Sequence, residues 1–337
     1  MKAVITELPW EREGWLAQAT EWIDAALAKT RRHRTEAVEV LHRRPWGIFA
    51  RVPTDKGTAF FKAPAPPFSG FEAAVTKALA GWRPDVTVPV LAVEPERGWF
   101  LSEEAGVTLR SASPGIEQMQ HWVRLLPVYA GLQIEMAARV PQLIALGMFD
   151  RRLARLPQLY AELMQPNENL RVGLKPGLTP DEYRRLKAWR PQVAVWCQEL
   201  AAFGLPETLT HEEVHDANVL VNGERYIFTD WSDSSVAHPF FTMVVTVRAA
   251  AYRLKLEESG PEMRRLRDAY LEPWTGFGSR EELRQAFGQA YRLGMLNRAL
   301  SWHFGTGSLP LRLKEADADA VPEWLQDFLV GEIPLRD

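Results

Sequence analysis

Apolar side chains recur at intervals of three and four residues in the first part of the chain, between residues 13 and 30. This spacing places them on one face of an α-helix. The apolar positions are Leu16, Ala19, Trp22, Ile23, Ala26 and Leu27. A short basic run at residues 31–34 follows, and cations at a helix end of this kind complement the helix dipole. The pattern therefore predicts an amphipathic helix that ends in a solvated basic turn.

The pattern changes between residues 37 and 102 to short runs rich in β-branched and aromatic residues. Such runs, bounded by Pro, Gly and Asp, are typical of strands. The strands are expected at residues 38–41, 48–52, 58–62, 88–93 and 99–102. A helical stretch at residues 71–81 separates the third strand from the fourth. The order predicts three antiparallel strands, a helix and two further strands.

Beyond residues 103–106 the chain is largely helical in pattern, and a stripe of apolar residues between 122 and 136 predicts one long helix. Residues 179–182 and 279–282 each carry a hydroxyl residue followed three positions later by glutamate. This spacing is the signature of a capped helix start. We therefore predict two domains, residues 1–103 and residues 104–337.

Composition and charge narrow the class of protein. Lys and Arg total 40 and Asp and Glu total 43, so the chain lacks the positive field that a polyanion requires. The single cysteine excludes an internal disulfide and fits a reducing compartment. The first residues carry no signal-like apolar core, and no apolar run approaches the ~18 residues of a membrane span. We expect a cytoplasmic protein that binds neither nucleic acid nor a membrane.

One segment, residues 208–240, is rich in His, Asp and Asn and lies between helical blocks. It contains a loop with Glu213 and Asn218, a strand, a tight turn, a second strand and then Asp230. Phosphoryl transfer depends mainly on positioning and charge neutralisation. A carboxylate can orient the attacking hydroxyl, while an amide and a second carboxylate can hold a metal. A short hairpin can fix these groups close together, so we expect the chemistry to lie here.

The spacing of His211, Glu213 and Asn218, followed by Asp230, resembles the aminoglycoside phosphotransferase family, whose pattern is His, any residue, Asp, four residues, Asn. The resemblance implies that position 213 is the catalytic carboxylate and that Asn218 and Asp230 ligate magnesium. It implies an α+β, two-lobed protein-kinase-like fold, with an N-terminal five-stranded antiparallel sheet plus helices and a mainly helical C-terminal lobe. The implied activity is transfer of the γ-phosphoryl group of ATP to a hydroxyl of a small metabolite or antibiotic.

The N-terminal part of the chain agrees with this resemblance. Lys62 ends a predicted strand where the family's ATP-binding lysine lies, and Glu72 opens the next helix as its ion-pair partner. The resemblance also implies that the triphosphate brings Lys62 and the metal ligand Asp230 together. If they shared no cleft, the interpretation would fail.

Two further segments complete the nucleotide site that the resemblance implies. Glu103, Glu104 and Gly106 belong to the hinge that would contact adenine, and Gly47 lies in the loop that would cover the phosphates. The chain also departs from the family at three places. Glu213 replaces the catalytic aspartate, the phosphate-covering loop has one glycine, and Thr242 replaces an aspartate that follows the metal-binding segment.

Two other functions compete with this interpretation. His211, Glu212 and His215 match the zinc-metalloprotease pattern His-Glu-x-x-His, which requires both histidines on one helix face. The polar and β-branched residues that follow favour an extended backbone instead. The second alternative is a catalytically weak nucleotide-binding pseudokinase, because Glu213 is one methylene longer than aspartate. This alternative predicts ATP binding without turnover.

The acceptor is a small hydroxylated molecule whose identity the sequence leaves open. Asp216, Trp231 and Asp233 lie close to the metal-binding positions in sequence and are possible acceptor-site residues. The acids Glu212, Asp216 and Asp233 favour an amine-bearing acceptor, although a bound magnesium ion would also account for them.

Overall fold

A computed structural model describes residues 7–65, 70–307, 309 and 311–335 of the chain. The helices, numbered α1 to α13 in chain order, are Trp15–Lys29, Glu72–Trp82, Leu109–Ala112, Gln118–Ala137, Val140–Ala145, Leu156–Leu163, Pro180–Ala188, Arg190–Ala201, Met243–Leu254, Pro261–Leu271, Arg280–Thr306, Leu311–Lys314 and Ala320–Val330. The strands, β1 to β11, are Glu39–Arg44, Gly47–Thr54, Gly57–Pro64, Val90–Glu94, Trp99–Glu103, Val107–Thr108, Phe149–Asp150, Thr208–Thr210, Val219–Asn222, Arg225–Phe228 and Ser235–Ala237. Short 3₁₀ segments include Trp231–Asp233 and Pro239–Thr242.

The chain divides into two compact units. The first unit comprises residues 1–107, 220–232 and 308–315, and the second comprises residues 108–219, 233–307 and 316–337. Residues 1–103, which the sequence assigns to the N-terminal lobe, all lie in the first unit, and two later segments join them.

The first unit contains the five-stranded sheet that the sequence predicts. Its strand order is β1-β2-β3-β5-β4, and every neighbouring pair is antiparallel. The tight β2–β3 turn pairs Thr54 with Gly57, which has a positive φ of 98° that glycine tolerates. The helix α2 falls between β3 and β4, so the predicted order of three strands, helix and two strands is confirmed.

Helix α1 packs against one face of this sheet through aromatic residues. Trp15 and Trp22 of the helix lie 6.5 and 5.9 Å, centroid to centroid, from Phe61 of β3. Phe61 is buried, and so are Ala59 and Ala63, the neighbouring positions of β3 that point to the same face of the sheet. Side chains alternate across a strand, so Lys62 points to the opposite face of the sheet. The core of the first unit thereby fixes the direction of Lys62.

A smaller sheet with strand order β10-β9-β6 carries the hairpin that precedes Asp230. Phe228, at the end of β10, donates its N–H to the carbonyl of Val86, over 2.9 Å. Ile227 packs in a small cluster with Val88 and Ala105. These contacts fix the end of the hairpin within the first unit.

The second unit is mainly helical, with a short sheet of order β7-β11-β8. Helices α7 and α11 begin at the capping boxes that the sequence predicts. The Thr179 side chain accepts from the N–H of Glu182, and the Ser279 side chain accepts from the N–H of Glu282. The long helix α11 is 27 residues in length and packs against α13, α6 and α8. None of the described helices is long and apolar enough to span a bilayer.

Candidate active site

Lys62 is held between two carboxylates of the first unit. Its Nζ donates to Glu72 Oε1 and to Asp230 Oδ1, each over 2.5 Å. Burial on its own would lower the pKa of Lys62, but the charges of Asp230 and Glu72 outweigh burial and hold that pKa above its ordinary value. The lysine is therefore a fixed positive charge, and its two partners come from α2 and from the segment after β10.

The two carboxylates differ in exposure. The Glu72 side chain is 1% exposed, whereas that of Asp230 is 41% exposed. Asp230 has a positive φ of 65°, a conformation that Asp adopts more readily than most residues. Ser232 donates to Asp230 Oδ1 over 2.8 Å. Glu72 thus anchors the lysine from within the core, and Asp230 presents its carboxylate to solvent.

The segment predicted to contact adenine packs closely on the hairpin. Gly106 has a φ of 139°, and a Cβ built there would lie 2.5 Å from the carbonyl oxygen of Val221, so the close approach requires glycine. Asn222 donates to the carbonyl of Ala105 over 3.1 Å. These two contacts hold residues 105 and 106 against β9.

The acidic residues of this segment have structural partners. The Glu103 carboxylate pairs with Arg32, the residue that follows the end of α1 by three positions. The Glu104 backbone donates to the carbonyl of Thr58 over 3.1 Å. The Glu103 side chain and the Glu104 backbone N–H are therefore both bound within the first unit.

Gly47 begins β2 directly after the two-residue turn that joins it to β1. A Cβ at this position would lie 3.2 Å from the carbonyl oxygen of Ala63, which is tighter than an ordinary contact. The glycine therefore permits close pairing of β2 with β3. The turn itself contains Pro45 and Trp46, so it offers fewer backbone donors than a glycine-rich loop.

In the second unit, residues 211–218 form an irregular loop of bends and turns. The N–H of His211 donates to Tyr129 Oη over 2.9 Å, and the N–H of Arg110 donates to the carbonyl of Asp216 over 2.9 Å. The zinc-protease alternative requires a helix here, and the structure has none over these residues. Among the described residues, no three His, Cys, Asp or Glu side chains are grouped as metal ligands.

Tyr129 anchors the start of this loop. Its hydroxyl accepts from the N–H of His211. Tyr129 is fully buried, and so is Thr242, the residue that replaces an aspartate of the family pattern. The loop is therefore anchored by a neutral hydroxyl group.

Glu213 and Asp233 share one buried guanidinium in the second unit. Arg298 of α11 donates from Nη2 to Glu213 Oε1 and from Nη1 to Asp233 Oδ2, the latter over 3.1 Å. Burial alone would lower the pKa of Arg298, but the charges of Glu213 and then Asp233 raise it above its ordinary value. Asn218 donates from Nδ2 to the Glu213 carbonyl over 3.1 Å. The loop conformation thus brings Glu213 and Asn218 into contact.

Glu212 points into the core. It has a positive φ of 68° and is 2% exposed. Ser235 and Asn297 donate to its two carboxylate oxygens. Burial raises the pKa of Glu212, and the charge of the buried Arg151 opposes that rise. A glutamate held in this way anchors the loop and does not fit the general-base role of the zinc alternative.

Two of the possible acceptor-site residues, Asp216 and Trp231, are buried. Asp216 is 2% exposed and pairs with Arg110 over 2.7 Å and with Arg253 over 3.3 Å. Burial on its own would raise the pKa of Asp216, but the hydrogen bond and charge of Arg110, together with the charge of Arg253, lower it below the ordinary value. Trp231, in the first unit, is fully buried.

Sequence reasoning missed the buried polar residues that support the loop, three on α11 and one directly after β7. These are Arg151, Asn297, Arg298 and Ser301, all buried. The sequence does contain an indication of these residues, because polar residues at 297, 298 and 301 interrupt an otherwise apolar face of a long helix. A buried polar group needs a partner, so this pattern indicated a polar network but did not identify its other members.

A five-stranded antiparallel sheet with a lysine–glutamate pair, joined in one chain to a helical unit that carries an irregular acidic loop, defines a protein of the protein-kinase-like class. Comparison with family models agrees: residues 49–291 match the phosphotransferase enzyme family, APH. The chain belongs to this family, and it is a small-molecule phosphotransferase. Membership implies the use of ATP with a divalent metal ion.

Solved structures show the same fold. An ethanolamine kinase of Plasmodium vivax has a TM-score of 0.62 at 13% identity, over 96% of this chain and 90% of that one. A macrolide 2'-phosphotransferase from Brachybacterium faecium has a TM-score of 0.53 at 18% identity, over 90% and 98%. An amicoumacin kinase in complex with AMP-PNP, Ca²⁺ and Ami has a TM-score of 0.56 at 13% identity, over 94% and 95%. No functionally curated protein matches the sequence.

Proposed function

We propose that this protein transfers the γ-phosphoryl group of ATP, with magnesium, to a hydroxyl group of a small metabolite or antibiotic. The observation that carries the proposal is the placement of Lys62 between Glu72 and Asp230. A buried carboxylate that anchors a lysine, with an exposed carboxylate beside it, is the pair that kinases use for phosphates and metal.

Lys62 would contact the α- and β-phosphates, held in place by Glu72. Asp230 and Asn218 would each supply an oxygen ligand to magnesium, an ion that prefers carboxylate, amide and phosphate oxygens. The residues present fit this role, because Asp230 exposes its carboxylate and Asn218 carries an amide oxygen, and both are ligand types that magnesium accepts. The bound metal would neutralise charge on the phosphates.

Glu213 would orient the acceptor hydroxyl. The hydroxyl oxygen attacks the γ-phosphorus, the bond between that phosphorus and the β–γ bridging oxygen breaks, and ADP leaves. Glu213 would accept the hydroxyl proton as the new bond forms. The adenine would lie against residues 103–106, with Gly47 in the strand beside the phosphates. The nucleotide assignments of Glu103, Glu104 and Gly106 rest on the family pattern.

The three acids that favour an amine-bearing acceptor by sequence have partners within the second unit. Asp216 pairs with two arginines, Asp233 pairs with Arg298, and Glu212 accepts from Ser235 and Asn297. Two of the three acids are thus already paired with arginine. We therefore propose a small hydroxylated acceptor without assigning it a positive charge.

Nucleotide binding is the first test, because it also addresses the pseudokinase alternative. A ligand that binds only the native state, present at about 100 times its Kd, stabilises that state by about 2.7 kcal/mol. We expect ATP with magnesium to raise the Tm by several degrees. Lys62→Met should remove most of the shift. Lys77→Met, which changes an exposed lysine on α2, is the matched control and should keep it.

The outcomes separate the two functions. A shift with ATP and magnesium that depends on Lys62, together with transfer to an acceptor, supports the kinase. A shift without transfer to any acceptor or to water supports the pseudokinase. The absence of any shift with ATP or GTP would contradict both.

A further inference from the structure

The last turns of α11 support consecutive residues of the catalytic loop. Asn297 donates to Glu212, and Arg298 donates to Glu213. One turn further along, Ser301 hydrogen-bonds with Arg151, and the Arg298 guanidinium lies 5.4 Å from the ring centroid of Trp302. Residues four apart lie on the same face of a helix. The helix therefore carries two adjacent rows, Asn297 with Ser301 and Arg298 with Trp302, and one row lies at each glutamate.

Arg298 is more constrained than an ordinary surface arginine. Its side chain is 5% exposed, and its two terminal nitrogens bind two different carboxylates, those of Glu213 and Asp233. The guanidinium is planar and its donors point in fixed directions, so two partners determine its orientation. A carboxylate bound to a fixed guanidinium is in turn restricted in its own rotation. The position of Glu213 therefore depends on Arg298.

We propose that Arg298 is a positioning residue for phosphoryl transfer, which sets the direction of the Glu213 carboxylate toward the acceptor hydroxyl. This inference rests on the proposed function. It explains how glutamate can stand where the family has aspartate: the longer side chain has one more rotatable bond, and the arginine removes that freedom. Asp233 holds the arginine from its other side.

The test compares steady-state transfer from ATP in wild-type protein, Arg298→Met and Arg298→Lys. A misplacement on the order of 1 Å costs about a hundredfold in rate, so Arg298→Met should lower kcat about a hundredfold. The KM for ATP should change by less than about threefold, because the arginine binds no nucleotide group. Arg298→Lys keeps the positive charge but lacks the planar guanidinium that binds two carboxylates at once. Its kcat should therefore lie between those of Arg298→Met and the wild type.

A matched control lies on the same helix. Arg284 lies in the first turns of α11, well before Arg298, and pairs with Asp268 over 2.8 Å. Arg284→Met removes an arginine–carboxylate pair from the same helix and should leave kcat unchanged. Thermal unfolding of each variant shows whether it is folded at the assay temperature.

Coupling to Glu213 separates positioning from a merely structural role. Removing a general base typically costs about 10²- to 10⁴-fold, and Glu213→Gln should show a loss of this order. If Arg298 acts through Glu213, Arg298→Met should lower kcat by less than about threefold further in the Glu213→Gln background. A structural role would lower kcat equally in both backgrounds.

Three results would overturn the inference. If the wild type is active and the Arg298→Met variant keeps the wild-type kcat, this inference fails and the proposed function stands. Full additivity of Arg298→Met and Glu213→Gln would have the same consequence. A wild type that transfers phosphoryl groups neither to a panel of alcohols nor to water would overturn the proposed function, and this inference with it.

Discussion

Two charged clusters of this protein have the same types of acid and different cations. In the first unit, Lys62 lies between Glu72 and Asp230, and in the second unit Arg298 lies between Glu213 and Asp233. Each cluster joins one cation to two carboxylates. The first combines a deeply buried carboxylate with an exposed one, whereas both carboxylates of the second are about one-quarter exposed.

The difference lies in the type of cation. A lysine ammonium is a compact charge on a flexible stem, so Lys62 can remain bound to Glu72 while it exchanges Asp230 for a phosphate. An arginine guanidinium is a rigid fork that fixes the partners it binds. The first cluster is thus suited to binding a substrate anion, and the second is suited to orienting protein carboxylates.

Shortening the glutamate tests the second cluster. Glu213→Asp withdraws the carboxylate from Arg298 by the length of one methylene, so we expect kcat to fall about a hundredfold, the loss for a misplacement on the order of 1 Å. Steady-state phosphoryl-transfer assays measure kcat, and the KM for ATP from the same assays shows whether nucleotide binding is unchanged. A rise in kcat would contradict the account, because it would show that Glu213 marks a degenerate kinase that aspartate restores.

Protonation of a buried histidine gives a smaller effect, on stability. His238 is 1% exposed, and burial lowers its pKa to about 3. The unfolded chain binds a proton near pH 6.5 and the folded chain does not, so stability is lost as the pH falls below about 6.5. Between pH 7.5 and 5.5 this residue should cost about 1.4 kcal/mol.

His238→Asn isolates that contribution. His238 Nδ1 accepts from the N–H of Phe240, and asparagine can keep this acceptor. We expect the free energy of unfolding in urea to fall less between pH 7.5 and 5.5 in the variant, by about 1.4 kcal/mol. Equal losses in the two proteins would show that His238 is not held neutral in the fold.

The two clusters also differ in how far the sequence could predict them. Lys62 and Glu72 lie ten positions apart on a strand and the helix after it. Local patterns predict those two elements, and the family resemblance implies that the two residues form a pair. Asp230 follows a hairpin with a clear turn. The elements α1, β1 to β5 and the capped starts of α7 and α11 follow from the same local rules.

The partner of Glu213 could not be predicted in this way. Arg298 lies 85 positions away on another element. Periodicity shows which face of α11 is buried, but it does not show which loop packs against that face. The same limit applies to Asp216, whose arginines lie on α3 and α9. Long-range pairing of buried charges depends on tertiary packing, which one sequence does not encode in its local pattern.

The most direct test of the central claim is transfer of the γ-phosphoryl group of labelled ATP to a panel of small hydroxylated compounds, by wild type and Asp230→Asn. Removing the carboxylate that neighbours Lys62 and is assigned to magnesium should lower kcat by about 10²- to 10³-fold, the loss typical of other transition-state charge contacts. We predict a labelled product with wild type and almost none with the variant. A variant that turns over at the wild-type rate would contradict the account.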